Sequence, residues 1–253
     1  MINIFKIGGN IINNPDDLRK FLADFASLEG KKILVHGGGR EATELGKKIG
    51  LEAKMIEGRR VTDRMTLDLV TMVYAGLINK RIVSLLQELD CNSVGLSGAD
   101  GNTIPATKRS PKPIDYGFVG DINKNDINIE FISLLLDNGY IPVFCAICRN
   151  SDGGLLNCNA DSIAGALAVA CSRVEETNLI YCFEKNGVLS DINDDSSLIP
   201  LITPDIYEAL LEEGKISGGM IPKVFNALNA VKEGVASVKI CSPSLNSGTL
   251  IKS

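Results

Sequence analysis

Apolar positions at the start of the chain alternate between short continuous runs and helical spacing. The runs Ile2–Ile7 and Lys32–Val35 are typical of buried strands. Between them, Asn14 and Pro15 mark the start of a helix that is predicted to end near Ser27. The apolar residues of that helix recur every three or four positions, at Leu18, Phe21, Leu22 and Phe25. A strand, a helix and a second strand in this order predict a parallel sheet.

The same alternation continues to the C-terminus, and from about residue 173 it has the form of a second α/β half. Further strands are predicted at Ser93–Leu96, Ile141–Ile147, Leu179–Phe183, Val238–Cys241 and Thr249–Ile251. Further helices are predicted from Thr62–Asp63 to about Leu89, at Ile129–Leu136 and Ser162–Cys171, after Thr203–Pro204, and from Pro222 to about Lys232. The segments Leu51–Arg60 and Ile104–Ile122 are predicted to form small hairpins outside the sheet. The continuous apolar run Ile141–Ile147 indicates a strand that is covered on both faces.

Composition narrows the class of protein. The chain has 253 residues, of which 45% are hydrophobic, which suffices for one large domain or two closely packed ones. The net charge is -5 with both signs interspersed, which argues against a nucleic-acid groove or a membrane-surface patch. Aromatic residues make up 5% of the chain and tryptophan is absent, which disfavours a platform for stacked bases.

The seven cysteines are scattered and odd in number, which favours a reduced intracellular protein. Cys145 and Cys148 have the spacing of a redox motif, but they lie in an apolar run, so core cysteines are the favoured interpretation. The N-terminus lacks the charged and apolar regions of a signal peptide, and no apolar run approaches the length of a bilayer span. We therefore expect a cytoplasmic protein.

Two glycine-rich segments follow the first two predicted strands. Gly8-Gly9 ends the first, and Gly37-Gly38-Gly39 ends the second and precedes a helix. Glycines let the backbone approach a ligand closely, and the amides of such a loop at a helix N-terminus favour an anion. The alternative is a tight strand-to-helix turn without a ligand.

Lys6 lies at the end of the first strand, immediately before Gly8-Gly9. A lysine at this end of a parallel strand is placed to point into the crevice where open α/β sheets bind ligands. The alternative is a solvated lysine at a strand end. Neither loop has the Gly-x-x-x-x-Gly-Lys or Gly-x-Gly-x-x-Gly pattern, so phosphate binding would use another fold family.

Five motifs, in order along the whole chain, resemble those of the amino-acid kinase family. They are 6–9 (Lys-Ile-Gly-Gly), 36–39 (His-Gly-Gly-Gly), 58–62 (Gly-Arg-Arg-Val-Thr), 157–161 (Asn-Cys-Asn-Ala-Asp) and 219–223 (Gly-Met-Ile-Pro-Lys). Within the family, the chain is similar to the branch that phosphorylates N-acetyl-L-glutamate. The resemblance implies one domain over residues 1–253, a three-layer αβα sandwich with a mainly parallel eight-stranded sheet. The N-terminal half, about 1–172, would bind the acyl-amino acid and dimerise, and the C-terminal half, about 173–253, would bind ATP.

The resemblance also implies the reaction. ATP would phosphorylate the side-chain carboxylate of N-acetyl-L-glutamate, or a related N-acyl-glutamate such as N-succinyl, in the second step of arginine biosynthesis. A carboxylate is already a nucleophile at pH 7, so no general base is needed, which fits a chain with one histidine. Catalysis would consist of positioning and charge neutralisation. Mg²⁺ would be held mainly by the ATP phosphates, without a dedicated protein site.

The family motifs imply roles for individual residues. Lys6 and Lys223 would hold the transferring phosphoryl group, and Asp161 would orient both lysines. The implied substrate-binding residues are Gly9, Gly37, Gly38, Arg60, Asn157 and Asn159, with Arg60 on the α-carboxylate. The implied nucleotide-binding residues are Gly8, Glu184, Gly187, Val188, Leu189, Ile216 and Ser217.

Alternatives stay open for single residues. Asp161 could be a favourable acid in the first turn of a helix, Arg60 could be a surface arginine, and His36 is more readily a structural or loop-orienting residue than a catalyst. Phe183-Glu184 departs from the Ser/Thr-Asp pair that is usual at the nucleotide site, which leaves the adenosine contacts open.

Alternatives also stay open for the whole chain. It could be another kinase of the family, acting on aspartate or glutamate, or a non-catalytic metabolite sensor. The chain begins at its first strand, without the N-terminal helix of the arginine-inhibited branch. We therefore expect an arginine-insensitive homodimer that pairs through the long helix after Thr62.

Overall fold

An eight-stranded sheet forms the centre of the molecule. The structure, a computed structural model, describes residues 1–191, 193–216 and 220–253. In chain order the strands are β1 (Ile2–Ile7), β2 (Lys31–His36), β3 (Met55–Ile56), β4 (Arg59–Arg60), β5 (Ser93–Leu96), β6 (Ala106–Lys108), β7 (Gly120–Ile122), β8 (Ile141–Cys145), β9 (Ile147–Arg149), β10 (Leu155–Asn157), β11 (Thr177–Cys182), β12 (Leu201–Ile202), β13 (Ser237–Cys241) and β14 (Thr249–Ile251). The strand order of the central sheet is β12-β14-β13-β11-β1-β2-β8-β5, with every pair parallel except β13–β14. The expected mainly parallel sheet of eight strands is confirmed.

Helices cover this sheet. They are α1 (Gly9–Asn13), α2 (Pro15–Ser27), α3 (Gly39–Lys48), α4 (Arg64–Thr71), α5 (Asn79–Glu88), α6 (Ile129–Asp137), α7 (Ala160–Ser172), α8 (Pro204–Glu212) and α9 (Met220–Lys232). α5 packs on β5 and β8, whereas α7 packs on β1, β2 and β11 and contacts α9. In β1 the consecutive residues Ile4 and Phe5 point to opposite faces and are both buried, so helices or loops cover both faces of the sheet.

One predicted strand is shorter than its apolar run. The run Ile141–Ile147 ends as a sheet strand at Cys145, and Ile147 begins β9, which pairs with β10 in a separate hairpin. The carbonyls of Ala146 and Ile147 accept hydrogen bonds from Cys158 and Gly98 and not from a sheet strand. Both residues are buried, so apolarity alone does not separate the strand from the turn that leaves it. The predicted hairpins over 51–60 and 104–122 are present as β3–β4 and β6–β7.

The long helix Arg64–Glu88 combines α4, a π-helical segment at Met72–Ile78, and α5. Its length and mean hydropathy, 1.4 over an 18-residue window, would by themselves suffice to cross a bilayer, although the segment contains no uninterrupted apolar run of that length. About 44% of that window is buried against the rest of the fold. The packing of α5 on β5, β8 and α2 is that of a core helix in a globular domain.

The seven cysteines are all buried and unpaired by disulfides. Burial raises the pKa of the Cys145 thiol to about 12, which keeps it protonated at neutral pH. Cys145 ends β8 and Cys148 lies in β9, so the interpretation of both as core residues is confirmed.

Candidate active site

The register of three parallel strands brings the glycine segments together. Ile7 at the end of β1 pairs with His36 of β2 on one side and with Cys182 of β11 on the other. The residues that follow, Gly8, Gly37 and Phe183, therefore leave the sheet at the same edge. This is the carboxyl edge of adjacent parallel strands, the usual place for a ligand in an open α/β sheet.

A first cavity of about 350 Å³ opens beside the glycine triplet. Its walls include the loop after β2, the β3–β4 hairpin, the π-helical segment, the β6–β7 region and the start of α7. The predicted substrate residues Gly37, Gly38, Arg60, Asn157 and Asn159 all line it. Arg59, Arg60 and Arg109 outnumber the one acidic lining residue, Asp121, so the cavity suits an anionic ligand.

Arg60 is held rigidly in the wall of this cavity. Arg60 is 8% exposed, so the alternative of a surface arginine is wrong. Nη2 donates to the Gly39 carbonyl (2.7 Å) and to Thr43 Oγ1 (2.6 Å). The guanidinium is thereby fixed by α3, with the Tyr74 side chain beside it.

Two asparagines also line this cavity. Asn157 Nδ2, as assigned, donates to Thr62 Oγ1 (3.0 Å), which leaves the amide oxygen as an acceptor for a ligand N–H. Asn159 is the N-cap of α7, where its side-chain oxygen accepts from the Ser162 amide (3.0 Å). Asn157 is thus placed for ligand contact, and Asn159 fixes the start of the helix that carries Asp161.

Packing requires a glycine at position 38, whether or not a ligand is bound. A Cβ at this position would meet Tyr74 Cδ1 at 2.8 Å and would overlap Ile78 Cδ1. A Cβ at Gly37, in contrast, would lie 3.7 Å from Ala160 Cβ, an ordinary contact. The middle glycine therefore lets the π-helical segment of the long helix press against the loop.

His36 supports the loop from beneath. The ring is fully buried, Nδ1 donates to the Gly37 carbonyl (2.8 Å), and Asn79 Nδ2 donates to Nε2 (3.0 Å). Burial lowers the pKa of His36 to about 4, an effect that the hydrogen bond to the Gly37 carbonyl opposes. The ring is therefore neutral at physiological pH, and the loop-orienting interpretation is the one that the structure supports.

A second cavity of about 410 Å³ lies beside β1, β11 and α9. Lys6, Gly8, Gly9, Glu184, Gly187 and Lys223 line it, together with Phe183 and Met220. Gly9, which the family pattern assigns to the substrate, lines this cavity and begins the short helix α1, an element that the sequence pattern did not predict. The cavity is thus lined by residues from both the N-terminal and the C-terminal parts of the chain.

An ion pair connects the walls of the two cavities. Lys6 Nζ lies 2.7 Å from Asp161 Oδ1, and Asp161 follows Ala160, a residue of the first cavity. Lys6 is 8% exposed, so the alternative of a solvated lysine is wrong. Partial burial lowers the pKa of the nearby Lys223. The positive charge of Lys6 lowers this pKa further, whereas the carboxylates of Asp161 and Glu184 raise it.

Four predicted nucleotide-binding residues are not among the described residues that line the second cavity. Val188 is buried, and its amide donates to Thr249 Oγ1 (2.8 Å). Leu189 forms a β-bridge with Leu198, and Ile216 is buried. Ser217 lies outside the residues that the structure describes. Nucleotide contacts of these four residues stay predictions.

Comparison with known proteins agrees with this geometry. The sequence profile of the Amino acid kinase family matches residues 1–242. The chain belongs to the amino acid kinase family. An acetylglutamate kinase of Phocaeicola vulgatus is 48% identical and aligns with 99% of this chain and 98% of its own length. An acetylglutamate kinase of Cytophaga hutchinsonii is 52% identical and aligns with 94% of this chain and 90% of its own length. The crystal structure of smu.665 from Streptococcus mutans, 29% identical, has a TM-score of 0.79 and covers 99% of this chain and 98% of that one.

Two residues of this amino acid kinase site had no recognisable signal in the sequence, and two others have contacts that their sequence signal did not indicate. Tyr74, in the π-helical segment, and Arg109, next to the β6–β7 hairpin, both line the first cavity. Thr62, predicted as part of a helix start, accepts the bond from Asn157 instead, and Asp63 caps the helix. Phe183 departs from the family pattern, yet it lies against both lysines of the second cavity.

The buried neutral His36 predicts a pH dependence of stability. Its pKa is about 4 in the folded protein against an ordinary value of 6.5 in an unfolded chain, so the unfolded chain binds the proton more readily in between. The resulting stabilisation is present above pH 6.5 and is lost as the pH falls toward 4, by about 3 kcal/mol. We expect the difference in free energy of unfolding between wild type and His36→Gln, measured by urea titration, to shrink over this range. A difference that is constant with pH would contradict this assignment.

Proposed function

We propose that this chain transfers the γ-phosphoryl group of ATP to the side-chain carboxylate of N-acetyl-L-glutamate. The products are ADP and an acyl phosphate, as in the second step of arginine biosynthesis. The observation that carries the proposal is the placement of Lys6 and Lys223 beside one cavity and of Arg60 in the other. Acetylglutamate kinases that are about half identical over nearly the whole chain support it.

The first cavity takes the acylated glutamate. The substrate is a dianion with one amide N–H, and the cavity offers arginines for a carboxylate and the Asn157 oxygen for the N–H. Arg60 binds the α-carboxylate, because its guanidinium is fixed before the ligand arrives. The amides of Gly37 and Gly38 face the reacting end of the substrate.

The second cavity takes ATP with Mg²⁺. Its three ammonium groups, of Lys6, Lys185 and Lys223, the glycines after β1 and the carboxylate of Glu184 suit a nucleotide whose phosphates hold most of the metal charge. Mg²⁺, held mainly by the phosphates, would offset part of their charge, and Glu184 would accept a hydrogen bond from the nucleotide. Gly187 contributes backbone to the same cavity.

The chemistry is the attack of one anion on another. An ionised carboxylate oxygen forms a bond to the γ-phosphorus while the bond to the β–γ bridging oxygen breaks, and ADP leaves with that electron pair. Lys6 and Lys223 neutralise the charge that spreads over the phosphoryl oxygens. Asp161 holds Lys6 in place and is not a base, because the nucleophile has no proton to lose.

The test is ATP-dependent acyl-phosphate formation, trapped with hydroxylamine, on N-acetyl-L-glutamate, N-succinyl-L-glutamate, free glutamate and aspartate in parallel. We expect hydroxamate with an N-acylated glutamate and none with the free amino acids, because a free amino acid brings an ammonium group into a cavity lined by three arginines, Arg59, Arg60 and Arg109. Turnover of a free amino acid alone would favour an aspartate or glutamate kinase. ATP binding without any turnover would favour the non-catalytic sensor.

Replacing Lys6 separates catalysis from binding. We expect Lys6→Ala to lower kcat by about 10²–10³-fold, the usual effect of losing one preorganised donor at a developing charge, with little change in ATP affinity. Arg60→Ala is the matched comparison, since it should raise KM for the acyl-amino acid far more than KM for ATP. Steady-state kinetics with each substrate varied in turn distinguishes the two. If Lys6→Ala lost ATP affinity and kcat equally, Lys6 would be structural.

We also propose that two copies pair through the long helix. Met65, Met72 and Leu77 expose apolar side chains there, at 67%, 62% and 45%. We expect Met72→Lys to convert a dimer into a monomer by light scattering, since it places a charge in an apolar interface. Leu211→Lys is the control, because Leu211 is exposed on α8 beside β12, at the far end of the sheet from α5. A wild-type hexamer or monomer would contradict the proposal.

A further inference from the structure

The two lysines of the second cavity share one aromatic neighbour. Lys223 Nζ lies 3.7 Å from the centroid of the Phe183 ring, and Lys6 Nζ lies 5.3 Å from it. Both distances are within the range in which the negative face of an aromatic ring attracts a cation. Phe183 is therefore in contact with both groups that the proposed reaction needs.

The ring is itself held in place. The Phe183 amide donates to the Cys241 carbonyl (2.8 Å), which fastens the residue to the end of β13. The ring stacks on Tyr181 with centroids 6.0 Å apart and an interplanar angle of 19°. Tyr181 Oη in turn donates to the Asp161 carbonyl (3.2 Å), so the aromatic pair also contacts the start of α7.

The two lysines differ in their carboxylate partners. Lys6 has Asp161 at 2.7 Å, whereas among the described residues no carboxylate lies within 4.0 Å of Lys223 Nζ. The charged groups that face Lys223 are Asp161 on α7, Lys6 on β1 and Glu184 after β11. Without a phosphoryl group between them, two ammonium ions at this site repel each other.

An aromatic face suits this position better than a second carboxylate would. A carboxylate would accept the N–H donors that a phosphoryl oxygen needs, whereas a ring attracts the charge and leaves those donors free. We propose that Phe183 is a positioning residue that holds the ammonium groups of Lys223 and Lys6 in place for phosphoryl transfer. This inference rests on the proposed function for its kinetic consequences but not for the lysine contacts themselves.

The experiment compares Phe183→Leu, which removes the aromatic face, with Phe183→Tyr, which keeps it. Loss of one partly desolvated cation–π contact corresponds to about a tenfold change. We expect Phe183→Leu to lower kcat about tenfold, with KM for ATP within about twofold of wild type. Phe183→Tyr should restore most of kcat. Thermal unfolding checks that both variants stay folded.

A second measurement does not depend on the reaction. The titration of Lys223 is followed by NMR of ¹³Cε-labelled lysine, with the signal assigned from its absence in Lys223→Arg. Because the ring favours the charged form, we expect the pKa of Lys223 to fall further in Phe183→Leu and to stay near wild type in Phe183→Tyr. If Phe183→Leu does not fold, trifluorophenylalanine at position 183 keeps the ring shape while weakening its negative face, and should lower both kcat and this pKa.

The outcomes separate the ideas. A higher KM for ATP with unchanged kcat and an unmoved lysine signal would mean that the ring stacks on the nucleotide, which overturns the proposal. An equal loss of kcat in Phe183→Leu and Phe183→Tyr, with no shift in the Lys223 titration, would mean that the ring only fills space. That result would also overturn the proposal. If wild type lacks kinase activity but the lysine titration responds as expected, the proposed function fails and the contact between the ring and the lysines stands.

Discussion

The site depends on the parallel register of β1 with its two neighbours. Lys6 pairs with Val35 on one side and with Tyr181 on the other, and one residue later the three strands end together. Because the sheet is buried on both faces, its edge is where polar side chains and glycine loops can meet a ligand. A shift of one residue in either pairing would turn the lysine into the opposite layer. Register therefore decides which residues become neighbours here.

Asp161 joins the start of α7 to the lysine at the end of β1. Asp161 lies in the first turn of α7, where the helix dipole favours an acid, and it also forms the ion pair with Lys6. The first-turn position is confirmed, and the ion pair with Lys6 is present, whereas the orientation of Lys223 by Asp161 stays a prediction. The second cavity is lined by Lys6, Lys185 and Lys223 against the one carboxylate of Glu184, and this net positive charge suits a cavity meant for polyanionic phosphates.

The conformation of the glycine loop depends on the residues packed against it as well as on its own glycines. His36 and Asn79 fix its carbonyl side, and the π-helical segment fits against Gly38 because that residue has no Cβ. Turns of π-helix within longer helices often occur at functional sites. Here the segment places Tyr74 in the wall of the first cavity, next to Arg60 and Gly39. The long helix thus links the proposed dimer surface to the substrate loop.

The sequence by itself determined the order of elements, the buried strands and the edge at which the chemistry lies. Continuous apolar runs, helix caps and glycines after strands report local constraints, and Lys6, Arg60 and Asp161 stand in motifs that span a few residues. The tertiary structure alone decided that the run from Ile141 leaves the sheet at Cys145, that Tyr74 and Arg109 reach the first cavity, and that Phe183 lies against Lys223. These are contacts between segments far apart in the chain. They depend on strand register and helix packing, and no local pattern of residue types encodes them.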